Sequence, residues 1–182
     1  MNITILAVVT ALLILFVIVV YNRLVVLRNY VKEAFSTMDV YLKKRWDLLP
    51  NLIEIVKAYA KHEKGVLEEI TLLRSGNYSD MSDEDKIDTN KKLGESLSKI
   101  IAVVENYPDL KANEHYAKLM DELTNIENDI ANSRKYYNGC VRILNNTTEI
   151  FPTSLIAGLF RIKSAKMFEI TDDERQSIKA EL

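Results

Sequence analysis

Glycine and proline are scarce in this chain, five and three among 182 residues, and no segment alternates apolar and polar side chains for long enough to make a strand. That excludes a β-rich fold, and the pattern is helical throughout. Cysteine occurs once, at Cys140, so no internal disulfide can form, in keeping with a reducing compartment. Neither sign of charge dominates: 24 Lys and Arg stand against 26 Asp and Glu, a net of −2. Without clustered positive charge to neutralise phosphates, nucleic acid binding is disfavoured.

Sites of known chemistry are missing as well. There is no Gly-rich phosphate loop, no Gly-x-Ser-x-Gly elbow and no Cys-x-x-Cys pair. The two histidines, His62 and His115, have Tyr59 and Ala112 three residues before them, so the Glu-x-x-His pairs of a di-metal bundle do not occur. His62-Glu63 also lacks the second His of a zinc-binding His-Glu-x-x-His helix. Cys140 falls on an apolar helical stripe, where a buried, inert thiol is expected rather than a nucleophile. These absences point to a protein without catalysis, cofactor or metal of its own.

What the chain does have is an N-terminal stretch of 22 residues with no charged side chain, of which residues 3–20 are almost unbroken apolar. At ~1.5 Å per residue the run reaches ~27 Å, enough to cross a hydrocarbon core of ~30 Å with its interfacial ends. Thr10 can return its hydroxyl to the carbonyl one turn earlier, so it need not strand a polar group in lipid. A cleaved secretory signal fits poorly: there is no basic segment before the run, no small-x-small site after it, and it exceeds the usual ~7–15 apolar residues. The bilayer is therefore the expected partner of residues 3–21. Arg23, Arg28 and Lys32 follow the span and no basic residue precedes it, which places the C-terminal part in the cytoplasm and the N-terminus outside.

Beyond the span, Leu24, Leu27, Val31, Ala34, Met38 and Tyr41 advance by alternating threes and fours along one stripe of a helix continuous with it. Pro50 disfavours helical geometry at Leu49 and predicts an end near Asp47. A second stripe, Leu52, Val56, Tyr59, Val66, Ile70 and Leu73, is broken at Glu63 and stops at Ser75-Gly76-Asn77, with Gly76 as C-terminal cap. Residues 80–88 form an acidic loop and helix start. A third stripe runs Leu93, Leu97, Ile100, Val104 and Tyr107 up to Pro108. The fourth comprises Tyr116, Leu119, Leu123, Ile126, Ile130, Tyr137, Cys140 and Leu144, with Ser133 its one polar member. Similar lengths and short connections predict an all-α fold: a transmembrane helix (1–22), an up-and-down four-helix bundle of long helices (23–150) and a partly packed tail (151–182).

Several of these segments are familiar as a set: Tyr21-Asn22-Arg23-Leu24-Val25, Leu27-Arg28-Asn29, Met38-Asp39-Val40, Leu42-Lys43-Lys44-Arg45, Asp47-Leu48-Leu49-Pro50-Asn51-Leu52 and Lys57-Ala58-Tyr59-Ala60. With Glu105-Asn106-Tyr107-Pro108-Asp109-Leu110-Lys111-Ala112-Asn113, Asp121-Glu122-Leu123, Tyr137-Asn138 and Phe151-Pro152, the chain closely resembles the LemA family of bacterial membrane proteins. The resemblance implies a single N-terminal span and a helical bundle; it implies much less about activity, since the family has no established catalytic residue or cofactor to carry over. This chain departs from the family in having Leu144-Asn145 where Tyr-Asn is usual and Phe35 where Trp is common.

Lys43-Lys44-Arg45 would lie ~30 Å beyond the bilayer on a straight helix, several Debye lengths of ~8 Å, so a solvated face paired with Asp47, Asp39 or the 80–88 loop is favoured over an anionic-lipid patch. Polar residues crowd the margins of the stripes: Asp39, Asn51, Glu54, Glu63, Asn106, Glu127, Arg134, Asn138 and Asn145. They can form interhelical hydrogen bonds, including a carboxylate paired with Arg134. Alternatively they rim a partner groove whose candidate residues are Tyr59, Tyr107, Arg134, Tyr136 and Tyr137, since aromatics and Arg anchor interfaces well. The apolar segment 151–160, then Met167-Phe168, must pack on something: the overshooting fourth helix, or a partner or membrane surface, which Arg161, Lys163 and Lys166 would suit. Residues 172–182 are charged and expected to fray or form a short helix.

The function these features suggest is a membrane-anchored scaffold or adaptor for an unidentified protein partner at the cytoplasmic face. The alternative is a ligand-sensing bundle held outside the membrane.

Overall fold

The computed structural model describes residues 2–60 and 64–168, and among these every regular element is helical. The expected break at Glu63, the ring of His62 and the segment 172–182 lie outside the described residues. Helix α1 spans Asn2–Tyr59 and contains Pro50. The helix expected to end near Asp47 therefore continues for three more turns. Proline in a helix interior costs ~3 kcal/mol. Against that, Leu49, Leu52, Ile53 and Val56 are all buried, and each such side chain contributes ~1.5–3 kcal/mol when removed from water. The stripe Met38, Leu42, Trp46, Leu49, Ile53, Val56 crosses Pro50 without a change of register, so packing outweighs the local penalty.

The remaining elements are α2 (Lys64–Leu73), a 3-10 turn (Tyr78–Asp80), α3 (Asp83–Val104), the single turn α4 (Pro108–Lys111), α5 (Glu114–Glu149) and α6 (Thr153–Leu159). Residues 52–59, expected to open a second helix, belong to α1, and α2 is only ten residues long. Gly76 has no positive φ and so is not a left-handed cap; α2 closes through Arg74 N–H to the Ile70 carbonyl and Ser75 N–H to that of Leu72. Helix α3 starts at Ser82, whose hydroxyl accepts from the Asp85 N–H and donates to the Asp85 carboxylate. Its first turn, Asp83, Glu84 and Asp85, places negative charge at the positive end of the helix dipole. Helix α5 starts at Asn113, whose side-chain oxygen accepts from the N–H groups of His115 and Tyr116.

The apolar side chains of α3 and α5 go inward as their spacing predicts: Leu93, Leu97, Ile100 and Val104 on the one, Tyr116, Leu119, Leu123, Ile126, Ile130, Tyr137 and Leu144 on the other. The chain divides into two compact units. Among the described residues, the first joins those up to 36 to 134–167, and the second comprises those within 37–133 together with Phe168. This division differs from the segments 1–22, 23–150 and 151–182, since residues 153–162 pack with the N-terminal part of α1.

Residues 3–16 of α1 are exposed on every side, although the stretch is apolar throughout except for Thr4 and Thr10. The helix is long and apolar enough to cross a membrane. The Thr10 hydroxyl donates to the Leu6 carbonyl at 2.9 Å, as the sequence predicts.

Candidate functional site

In the second unit, the polar chemistry gathers around Arg45. It follows Leu42 by three residues and precedes Leu49 by four, so it occupies the buried face of α1 and is only 4% exposed. The expectation that it shares a solvated face with Lys43 and Lys44 is thus overturned. Lys43 does pair with Asp47 on the exposed side, and the Lys44 ammonium lies 5.5 Å from the Tyr41 ring. Arg45 Nη1 donates to both carboxylate oxygens of Glu127 at 2.8 and 3.0 Å. Its Nη2 donates to the Asn90 carbonyl at 2.6 Å and to Asn90 Oδ1 at 2.8 Å, while Nε has no partner. One guanidinium thereby ties α1 to α3 and α5. The Asn90 amide completes the link by donating to the Lys86 carbonyl.

A second cluster forms around Asp39, whose carboxylate accepts from the Tyr78 hydroxyl at 2.7 Å and from Lys86 at 2.8 Å. Burial, then the adjacent Asp39 carboxylate, pushes the Tyr78 phenol far above its ordinary value, so it stays a donor at any physiological pH. The Tyr78 ring lies 5.2 Å from that of Trp46, and the Arg74 guanidinium sits 5.1 Å from Trp46 on the indole. Burial lowers the Arg74 pKa. Between α2 and α3, the Glu69 carboxylate accepts from Lys99 and Ser96, and those two bonds hold it below the usual carboxylate range. An open cleft of about 880 Å³ lies between Lys57 and Ala60 on one side and Leu67, Thr71, Leu72 and Ser75 on the other.

In the first unit, Asn145 works as a two-way clasp. Its amide donates to the Ala165 carbonyl at 3.0 Å and its oxygen accepts from the Ala165 N–H at 2.9 Å. The Tyr137 hydroxyl donates to the Lys166 carbonyl at 2.8 Å, and its ring meets Phe35 edge-on at 5.8 Å. The tail thus returns along α5, one of the two outcomes expected from its apolar content. It turns back through a Schellman motif at the end of α6: the Ile162 N–H reaches the Ala157 carbonyl, and the Arg161 N–H that of Gly158. Arg161 takes the left-handed position with φ 55°, and Ile162 packs against the cluster that contains Ala157.

The five candidate partner residues are divided between the units. Tyr59 and Tyr107 belong to the second; Tyr59 is exposed, with its hydroxyl accepting from the Asn113 amide at 3.0 Å, and Tyr107 is half-buried. Arg134, Tyr136 and Tyr137 belong to the first. Tyr136 is exposed beside Cys140, whose electrostatic and hydrogen-bonding interaction, more than nearby Glu33 and Tyr30, raises its phenol pKa. Tyr137 is buried and offers no surface. Sequence reasoning did not single out Asn90 or Ser96, both buried polar residues, nor Arg45 as a core residue. The signal for Arg45 was its place in the Leu42 to Leu49 stripe. Among the described residues no group of three or more His, Cys, Asp or Glu converges to hold a metal ion.

The LemA family pattern matches residues 34–181. The chain belongs to the LemA family. Among its LemA relatives, a protein LemA of Metamycoplasma hominis is 23% identical over 158 residues, covering 86% of this chain and 72% of that protein. Magnetosome protein MamQ 2 of Paramagnetospirillum magneticum is 22% identical over 177 residues, covering 82% of this chain. Magnetosome protein MamQ of Magnetospirillum gryphiswaldense is 19% identical over 174 residues, covering 81%. The matched stretch spans 64% of each of these MamQ proteins. With its uncovered apolar helix, this LemA-family chain is a membrane-associated protein.

Proposed function

We propose that this chain is a membrane-anchored helical scaffold that binds partner proteins at the cytoplasmic face and performs no catalysis of its own. Residues 3–21 cross the bilayer once, and the helices beyond pack as an up-and-down bundle. The observation that carries this reading is α1 itself: one unbroken helix bears both an apolar run whose residues 3–16 are exposed and the buried side chains of Leu42, Trp46, Leu49, Ile53 and Val56. Packing of Val20 and Leu24 against Ile156 and Ala157 ties the end of the run into a folded unit, which favours a retained anchor over a removed leader. Arg23, Arg28 and Lys32 support the cytoplasmic orientation. In the second unit, Arg45, Asp39 and Glu69 are committed to internal partners, which suits a rigid body that acts through its surface.

Photo-crosslinking residues placed at Tyr59, Tyr107 and Tyr136 of the full chain in living cells test the scaffold role. Discrete protein adducts from at least one position, absent from the others, are expected; no adduct from any of the three overturns it. The cleft between Lys57 and Leu72 favours the second reading, a ligand-sensing domain outside the membrane. A reporter fused after Leu182 that is active only outside the cytoplasm would select it.

A further inference from the structure

We infer that α6 and its flanks form a second membrane contact, a short apolar wedge that lies in the headgroup and acyl boundary beside the point where α1 leaves the bilayer. The inference rests on the reading of α1 as a membrane anchor. One face of α6, Ile156 with Ala157, packs on Val20 and Leu24 of α1, and Val17 and Ile162 close the cluster. The Phe160 ring stacks at a tilt on Tyr21, with centroids 4.5 Å apart. This contact fixes the level of α6: seven residues separate Val17 from Leu24, or ~10 Å of helix, so α6 spans the last turns of the apolar run.

The opposite face is equally apolar and, among the described residues, exposed. Phe151, Leu155 and Leu159 recur every four residues and are 76%, 66% and 73% exposed. From Ile150 to Phe160 no side chain carries a charge, and then Arg161, Lys163 and Lys166 follow within six residues. Apolar side chains at the exit level of a span, an aromatic pair beside them and cations just past them match the order of acyl chain, interface and anionic headgroup. The occupant of the uncovered face is therefore lipid, because the α1 surface that it adjoins is itself bare and apolar from Ile3 to Phe16.

The test uses the full chain with Cys140→Ser, carrying a nitroxide on a single cysteine at Leu12, Leu155, Leu159 or Lys99. It is reconstituted in vesicles of phosphatidylcholine and phosphatidylglycerol, roughly three to one. Collision with oxygen, which concentrates in acyl chains, is compared with collision with a water-soluble nickel chelate. At Leu155 and Leu159 oxygen should win, less strongly than at Leu12, while at Lys99 the chelate should win. Labels at 155 and 159 that behave as at Lys99 overturn the inference, as do labels shielded from both reagents, which would show a protein partner or a second copy instead. A chelate-accessible label at Leu12 would instead refute the anchor on which the inference rests.

Discussion

Arg45 is 4% exposed and carries a full charge, a combination that is tolerable only when its donors are met. Four bonds to Glu127 and Asn90 satisfy both terminal nitrogens and leave Nε alone unmet, in a fork that an ammonium cannot reproduce. Arg45→Ala strips the partners of a buried charge pair, a change that costs ~3–5 kcal/mol. Glu127 is 38% exposed at its side chain and can rehydrate, so the loss should fall near ~3 kcal/mol. Arg45→Lys, which retains charge but not the fork, should lose about half as much. Denaturant unfolding followed by the fluorescence of Trp46, the only tryptophan, reads both; equal stability of all three proteins would contradict the clamp. Glu69 gives a pH signature of defined sign. Its folded pKa is lowered by Lys99 and Ser96, so its contribution is full above the unfolded value of ~4.3 and is lost as pH falls through the folded one. Glu69→Gln should therefore flatten the acid limb of stability below about pH 4.3 and leave its shape at neutral pH unchanged.

Among the elements, residues 162–168 form no helix and are held from outside by Asn145 and Tyr137. Removing the two amide bonds with Asn145→Ala forfeits ~1 kcal/mol each, so residues 162–168 should open ~30-fold more often. Trypsin cleavage at Lys163 and Lys166 measures this, with full-length Arg161→Gly, which relieves the left-handed backbone, expected to be cut no faster than wild type. Much of the element structure was legible beforehand. The stripes of α3 and α5 and the first half of α1 are continuous in period, and a 3.6-residue period survives whatever the helix later packs against. Pro50 misled because its local penalty is visible in sequence while the burial of Leu49, Leu52, Ile53 and Val56 that offsets it is not. The Arg45 to Glu127 pair was hidden for a related reason: periodicity assigns a face, and the partner on that face stands 82 residues away. Tyr137 was placed on a core stripe and also on a candidate surface, and the path of the tail over its hydroxyl decided between the two.

For the molecule as a whole, the decisive quantity is the balance of the apolar run. Residues 3–20 contain fourteen Ile, Leu, Val and Phe side chains, each favouring insertion by ~0.3–0.6 kcal/mol near the helix centre, or about 6 kcal/mol together. An arginine at the centre costs ~3 kcal/mol and also removes one favourable residue. Leu12→Arg should thus leave the chain in the membrane fraction, because about half of the driving force remains. Leu12→Arg with Phe16→Arg costs ~7 kcal/mol in all and should release most of the chain on alkaline carbonate washing. The contrast between the two variants matters more than either alone, since any single charge is within reach of snorkelling and local thinning of the bilayer. If the double variant stays with the membrane, insertion of the run is not what holds the chain there, and the hold must come from elsewhere in the polypeptide. Adding Leu155→Gln and Leu159→Gln to it then separates a contribution of α6 from that of any other surface, by whether the chain is finally released.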